Sequence, residues 1–90
     1  MNYDPAKRKE NLRKHSIDLA ECEAIFDAPM LTRDDDRAAY GEQRLLSLGL
    51  LRGRAVVLIW TEREDGPRFI SCRPAERHEQ EAYFHHYPTG

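Results

Sequence analysis

Apolar positions change their period along this chain, and the changes mark its elements. From residue 5 to 15 they are sparse: Leu12 is the only large aliphatic, while Lys7, Asn11 and Lys14 recur at i, i+4 and i+7 as one polar stripe. Asp4-Pro5 reads as an N-cap with proline in the first helical position, which predicts a short helix over roughly 5–15. Asp18 then caps a second helix in which Leu19, Cys22, Ile25 and Phe26 share one face, ending before Pro29. Met30 to Arg33 reads as a short edge strand, and Asp34-Asp35-Asp36 as a solvated turn with no metal-loop spacing beyond it. The period next falls to two. Arg44 to Leu50, Arg54 to Arg63 and Arg68 to Arg73 read as successive strands of a meander, joined at Arg52-Gly53 and Asp65-Gly66. Pro74 marks the exit from the sheet, and a last helix runs from Glu76 until Pro88 stops it near Tyr87. The order is α-α-β-β-β-β-α, one α+β domain over residues 1–90, with no repeat.

Register follows if Arg52-Gly53 is a two-residue turn and no bulge intervenes. Leu46 then opposes Ile59, Leu48 opposes Val57 and Arg44 opposes Thr61, so that Arg44, Thr61 and Arg63 cluster at one end of the apolar face. An even loop around Asp65-Gly66 opposes Arg63 to Arg68 and sets Ile70 and Cys72 on that face. Arg73 goes to the other face, with Ser71, Trp60 and Glu62. Arginines so crowded need acids or an anionic ligand beside them.

Ninety residues support one modest core, with room for one site. The formal net charge is −2, which argues against a nucleic-acid partner, but the cations are eleven Arg and three Lys, a bias toward the residue that grips planar anions. A local basic surface acts beyond a Debye length of about 10 Å almost independently of acids elsewhere, so distribution outweighs the sum. Cys22 and Cys72 sit among apolar residues and read as two buried thiols. The start lacks the apolar run of a secretory signal. The longest apolar stretch, Ala55 to Trp60, is far short of the ~20 residues that span a bilayer, so a cytoplasmic protein with no membrane partner is expected.

Arg73 is the leading candidate for chemistry, because a guanidinium on a strand end offers an aimed fork for phosphate or carboxylate. The bland reading is an ion pair with Glu62 or Glu79. Arg63 and Arg44 share the geometry, or else are hairpin-edge cations that discourage edge pairing. Lys14 and His15 close the first helix, where the dipole favours cations in any protein; histidine also exchanges protons near neutral pH. Glu62 is a candidate general base and a candidate surface ion-pair partner. Tyr83 is either a contact for a nucleobase or a core-facing ring. The four histidines and two cysteines have no metal-ligand spacing, and no cofactor is expected.

Four blocks together resemble the BrnT toxins of type II toxin–antitoxin systems, within the RelE/ParE-like superfamily. They are Tyr3-Asp4-Pro5-Ala6-Lys7 with Asn11 and Lys14-His15-Ser16-Ile17; Phe26-Asp27-Ala28-Pro29; Gly41-Glu42-Gln43-Arg44 with Gly49; and Thr61-Glu62-Arg63 with Arg73, Ala75, Glu79 and Tyr83. The departures are Tyr3 for the family's usual Trp, Ser16 for Gly, Leu19 for Phe, Cys72 for Ala and Pro74 for a second Arg, the last removing one cation. The resemblance implies a RelE-like fold, two N-terminal helices packed on a twisted antiparallel sheet of about four strands and followed by a C-terminal helix. It implies a ribonuclease that cuts RNA without metal, by attack of a ribose 2′-hydroxyl on the adjacent phosphate, and arrests growth. Arg73, Arg63, Arg44, His15 and Glu62 would then be catalytic, with Lys7, Lys14 and Tyr83 on the RNA. The implied partner is a BrnA-like ribbon-helix-helix antitoxin in a hetero-oligomer. Two other classes stay open: a non-catalytic module docking a protein through its arginines, and a ParE-like gyrase poison.

Overall fold

The computed structural model describes residues 2–36 and 42–88; Gly41, one of the residues that carry the resemblance, lies outside them. Helix α1 covers Pro5–His15, with the Asp4 side chain accepting from the Ala6 N–H at 2.8 Å. Its end is a left-handed residue, Ser16, at φ 58, whose N–H bonds back to the Leu12 carbonyl. The second helix, Leu19–Asp27, is a 3₁₀ helix rather than an α-helix. Its three buried residues explain the tighter winding: Leu19, Cys22 and Ile25 recur every third position, and three residues per turn stack them along one line.

Four strands follow, β1 Leu31–Asp34, β2 Leu45–Leu51, β3 Arg54–Arg63 and β4 Gly66–Pro74, in an antiparallel sheet of order β1-β2-β3-β4. Helix α2, Arg77–His86, closes the described chain and starts on a capping box between Glu76 and Glu79. One sheet face packs under α1 and the 3₁₀ helix, with Leu51, Val56, Leu58, Trp60, Phe69 and Cys72 meeting Leu19, Cys22 and Ile25. The other carries Leu46, Ala55, Val57 and Ile59, with Phe84 of α2 against them. Ile25 comes so close to β2 that a Cβ on Gly49 would lie 2.5 Å from its Cγ2, which fixes glycine there. Cys22 and Cys72 are buried free thiols, as expected.

The β2–β3 register is the expected one, Leu46 opposite Ile59 and Leu48 opposite Val57. The β3–β4 register is not. Arg63 opposes Gly66 across Glu64-Asp65, Thr61 opposes Arg68, and a bulge at Ile59/Trp60 shifts the remainder so that Ser71 opposes Ile59 and Arg73 opposes Val57. The extra residue reverses the parity of β4 beyond Ile70. Cys72 therefore joins the helix-covered core, and Arg73 lies on the α2 face, the reverse of the unbulged reading. Arg63 and Arg68 are not opposed, which removes that like-charge contact.

Edge strand β4 is covered from within the chain. Phe69 N–H donates to the Asn2 carbonyl, Tyr3 bridges Phe69, and Asn11 does the rest. Asn11, 3 % exposed, accepts from the Cys72 N–H at 2.9 Å and donates to the carbonyls of Cys72 at 2.8 Å and Ile17 at 2.9 Å. Its amide replaces a strand neighbour, so the polar-stripe reading of this residue fails: it faces inward. Asn11→Ala leaves a buried N–H and carbonyl without partners and is expected to cost about 2–4 kcal/mol, read as a lower urea midpoint at unchanged slope. An unchanged midpoint would mean that the clamp contributes nothing net.

Candidate functional site

Arg73 is already occupied. Its Nη1 and Nη2 meet Glu79 Oε1 and Oε2 at 2.8 and 2.9 Å, and Nη1 also reaches the Pro74 carbonyl at 3.2 Å. Side-chain exposures of 29 % and 14 % make this a half-buried fork linking β4 to α2. The guanidinium holds the Glu79 carboxyl down to about 2, helped by the Glu76 N–H, and Glu79 raises Arg73 in turn. So low a carboxyl is a poor base. The ion pair that the sequence offered as the alternative to phosphate contact is present.

Arg63 and Arg68 lie near the β3–β4 turn, on the α2 face by their rungs opposite Gly66 and Thr61, while Arg33 shares that face on the other edge strand, opposite Leu46 and on the rung of Ile59. Arg44 lies just before β2, where its carbonyl accepts from the Asp35 N–H at 2.9 Å. Arg63 pairs with Glu42 at 2.8 Å. Glu62 shares the parity of Trp60 and leaves the sheet on the opposite side from Arg63. Arg63 and Arg54 stand nine residues apart at the two ends of β3, about 30 Å at ~3.3 Å per residue. One phosphate cannot touch both ends.

At the β2–β3 end lies a cleft of about 740 Å³, between the last residues of α1, the Arg52-Gly53 turn and α2. His15 and Ser16 line one side, Arg52 and Arg54 the turn, and Gln80 and Phe84 the α2 side, with Pro74 and Ala75 between. Arg52 is bonded to Glu21, which also lines the cleft. His15 and the Arg54 side chain have no hydrogen-bond or ion-pair partner among the described residues. An imidazole and a guanidinium thus border a partly apolar hollow, an arrangement suited to a small anion carrying an apolar body. Backbone strain collects here too: the two described non-glycine residues with positive φ, Ser16 at 58° and Arg52 at 53°, both line this cleft.

Of the residues proposed from the sequence as catalytic or RNA-binding, only His15 lines the cleft. Arg63 and Arg44 are at the far end, and Arg73 stands between, tied to Glu79. Lys14 is exposed, 3.8 Å from Glu10, and Lys7 is exposed two turns back along α1. Tyr83 is 1 % exposed and donates its hydroxyl to the Pro29 carbonyl at 2.8 Å, so its ring belongs to the core. Arg52, Arg54, Gln80 and Phe84 were missed. Arginines on both sides of a turn glycine were the available signal. Among the described residues no three His, Cys, Asp or Glu gather as a metal site, and no helix is long and apolar enough to cross a membrane.

Fold and cleft define a small α+β domain, a four-strand antiparallel sheet with helices on both faces and cations at each end of one long strand. The family model described as ribonuclease toxin, BrnT, of type II toxin-antitoxin system matches residues 3–79, and the chain belongs to that family. Ribonuclease activity and an antitoxin partner are properties of the class. A comparison with curated proteins gave no match.

The Arg73–Glu79 fork sets an acid limb on stability. A carboxyl lowered from 4.5 to about 2 contributes stability that is complete above its unfolded value and is lost as pH falls through the folded one. Glu79→Gln is expected to be less stable by about 1–3 kcal/mol at pH 7. Its unfolding curves should converge with those of the wild type between pH 4.5 and 2. A gap independent of pH would assign the loss to packing.

Proposed function

We propose that this chain is an endoribonuclease toxin whose chemistry takes place in the cleft at the β2–β3 turn, without metal. The observation that carries the reading is that His15, Arg52 and Arg54 line one cleft, with strained backbone at Ser16 and Arg52, in a member of a ribonuclease-toxin family. The ribose 2′-hydroxyl attacks the adjacent phosphorus. Its proton leaves to a base, the bond from phosphorus to the 5′-oxygen breaks, and that oxygen takes a proton. His15 exchanges one of these protons with water completing the other transfer, while Arg54 meets the charge of the phosphorane and Arg52, paired with Glu21, borders it. The products are a 2′,3′-cyclic phosphate and a 5′-hydroxyl.

Arg73 then acts as a positioning residue, holding α2 and its Gln80 and Phe84 through Glu79. The far end of the sheet, with Arg44, Arg63 and Arg68, suits phosphates beyond the cut or an acidic segment of a BrnA-like ribbon-helix-helix antitoxin. Antitoxin binding there places the toxin in a hetero-oligomer, in the cytoplasm where its substrate is. A sheet carrying two N-terminal helices and a C-terminal one is compatible with the RelE-like plan that the family resemblance implies.

Purified protein is expected to cut RNA in excess EDTA and leave 2′,3′-cyclic ends, with His15→Ala and Arg54→Ala each slower by about 10²-fold. Arg63→Ala should stay within a few-fold of wild type. Loss of activity in Arg63→Ala with His15→Ala unaffected would move the site to the other end of the sheet. RNA left uncut by soluble protein, with the antitoxin still bound, would favour the docking module.

Pro74 lines the cleft at the position where the family usually carries a second arginine. Pro74→Arg adds a cation beside His15 and is expected to raise the cleavage rate several-fold, compared by single-turnover kinetics. A slower variant would show that the cleft is already matched to its phosphate.

A further inference from the structure

The cleft has more than its cations need. Phosphate alone fits a nest of donors a few ångströms across, whereas this hollow of about 740 Å³ extends over apolar residues, Ile17, Leu51, Ala75 and Phe84 among them. Phe84 is partly buried, its ring edge-on to Tyr83 at 5.3 Å and 87°, so the ring is held by packing on the core. Gln80, one turn earlier on α2, is fixed as well: its Nε2 donates to the Ala75 carbonyl at 3.0 Å, which commits one end of the amide and leaves Oε1 as an acceptor. Cations on one wall with a held ring and an amide acceptor on the other are the requirements of one unpaired nucleotide.

We infer that the cleft is a single-nucleotide subsite, with the phosphate at Arg54 and His15 beside the Glu21-paired Arg52 and the base on the Phe84 side, and that Gln80 Oε1 selects a base whose exocyclic amine stands where adenine N6 and cytosine N4 do. Adenine N6 and cytosine N4 donate at the edge where the uracil O4 only accepts. The inference deepens the ribonuclease reading and rests on it for the location of the cut, yet binding can be tested where nothing is cut. Duplex RNA does not satisfy such a site, because a paired base keeps its amine in the pair; the substrate class is single-stranded RNA. The size argues against a folded protein as occupant, and the cations favour a phosphate over an apolar peptide.

The test is a titration of the full chain with adenosine, cytidine and uridine 3′-monophosphates and with inorganic phosphate, followed by backbone amide shifts. These ligands hold no bond for the enzyme to break, so a catalytically dead chain still passes if the subsite exists. The expected result is saturable shifts at residues 15–16, 52–54 and 80–84, with the adenosine and cytidine compounds at least threefold tighter than uridine and all tighter than phosphate. Gln80→Ala, an exposed position, should remove the preference among bases while keeping the shifts; Phe84→Ala should weaken every nucleotide toward phosphate, with folding checked by its amide spectrum. Nucleotides no tighter than phosphate, a uridine preference, or shifts confined to Arg63 and Arg68 would each overturn the inference. So would silence toward all nucleotides with cleft shifts on adding an acidic, apolar peptide, which would make it a protein-docking groove.

Discussion

A sheet of four strands has two open edges, and the fold depends on how the β4 edge is closed. Asn11 closes it from a helix. A carboxamide carries one acceptor and one donor group in the geometry of a peptide, so it can meet both the N–H and the carbonyl of Cys72. Its second amide hydrogen reaches the Ile17 carbonyl, so one side chain ties α1, the link to the 3₁₀ helix and β4 together. Neither Asp, which lacks the donor, nor Gln, which is one methylene longer, reproduces that set. The same fastening orients the end of α1, where His15 stands, relative to Pro74 and Ala75 at the end of β4, and so sets two walls of the cleft.

What the sequence made legible follows from local rules. Proline at the start of α1, Asp18 as a cap, and period-two alternation each act within a few residues, and those elements appear where expected. The second helix kept its buried face but not its winding, since a spacing of three satisfies an α stripe and a 3₁₀ line alike. The bulge at Ile59/Trp60 was not legible. Alternation in Phe69-Ile70-Ser71-Cys72 reads equally well in either parity, and only packing under the helices chooses Phe69 and Cys72 together for the core. That single inserted residue decides which face Arg73 occupies.

Charge explains why the candidate site moved. Arginines that look exposed and aimed in a sequence are for the most part answered by acids in the fold: Arg8 by Asp18, Arg13 by Glu10, Arg52 by Glu21, Arg63 by Glu42, Arg73 by Glu79. Asp18 shows how strongly, held to about 2 by Arg8 and by the Ala20 N–H. Pairing of this kind is a relation between distant positions and cannot be read from one strand. The Arg73 motif and Glu79 are six residues apart, near enough that the ion pair was foreseeable; Arg52 and Glu21 are not. A cation without an acid is the more informative observation, and among the described residues Arg54 is one such.

Two local rules are broken in the described chain, and both breaks border one hollow. A two-residue turn with positive φ at both positions ordinarily takes Asn-Gly or Gly-Gly, and a helix ending on a left-handed residue ordinarily takes Gly. Here the turn has Arg52 at φ 53 ahead of Gly53 at φ 77, and the helix end has Ser16 at φ 58. Each side chain in that region costs on the order of 1–2 kcal/mol against glycine. For Ser16 the cost brings no contact that the structure reveals, and the family's usual glycine is the unstrained choice. For Arg52 it keeps a guanidinium on the border of the cleft that Arg54 also lines. Residues two apart share one side of a strand, and the tight turn keeps Arg52 on the same hollow as Arg54 although the chain reverses between them.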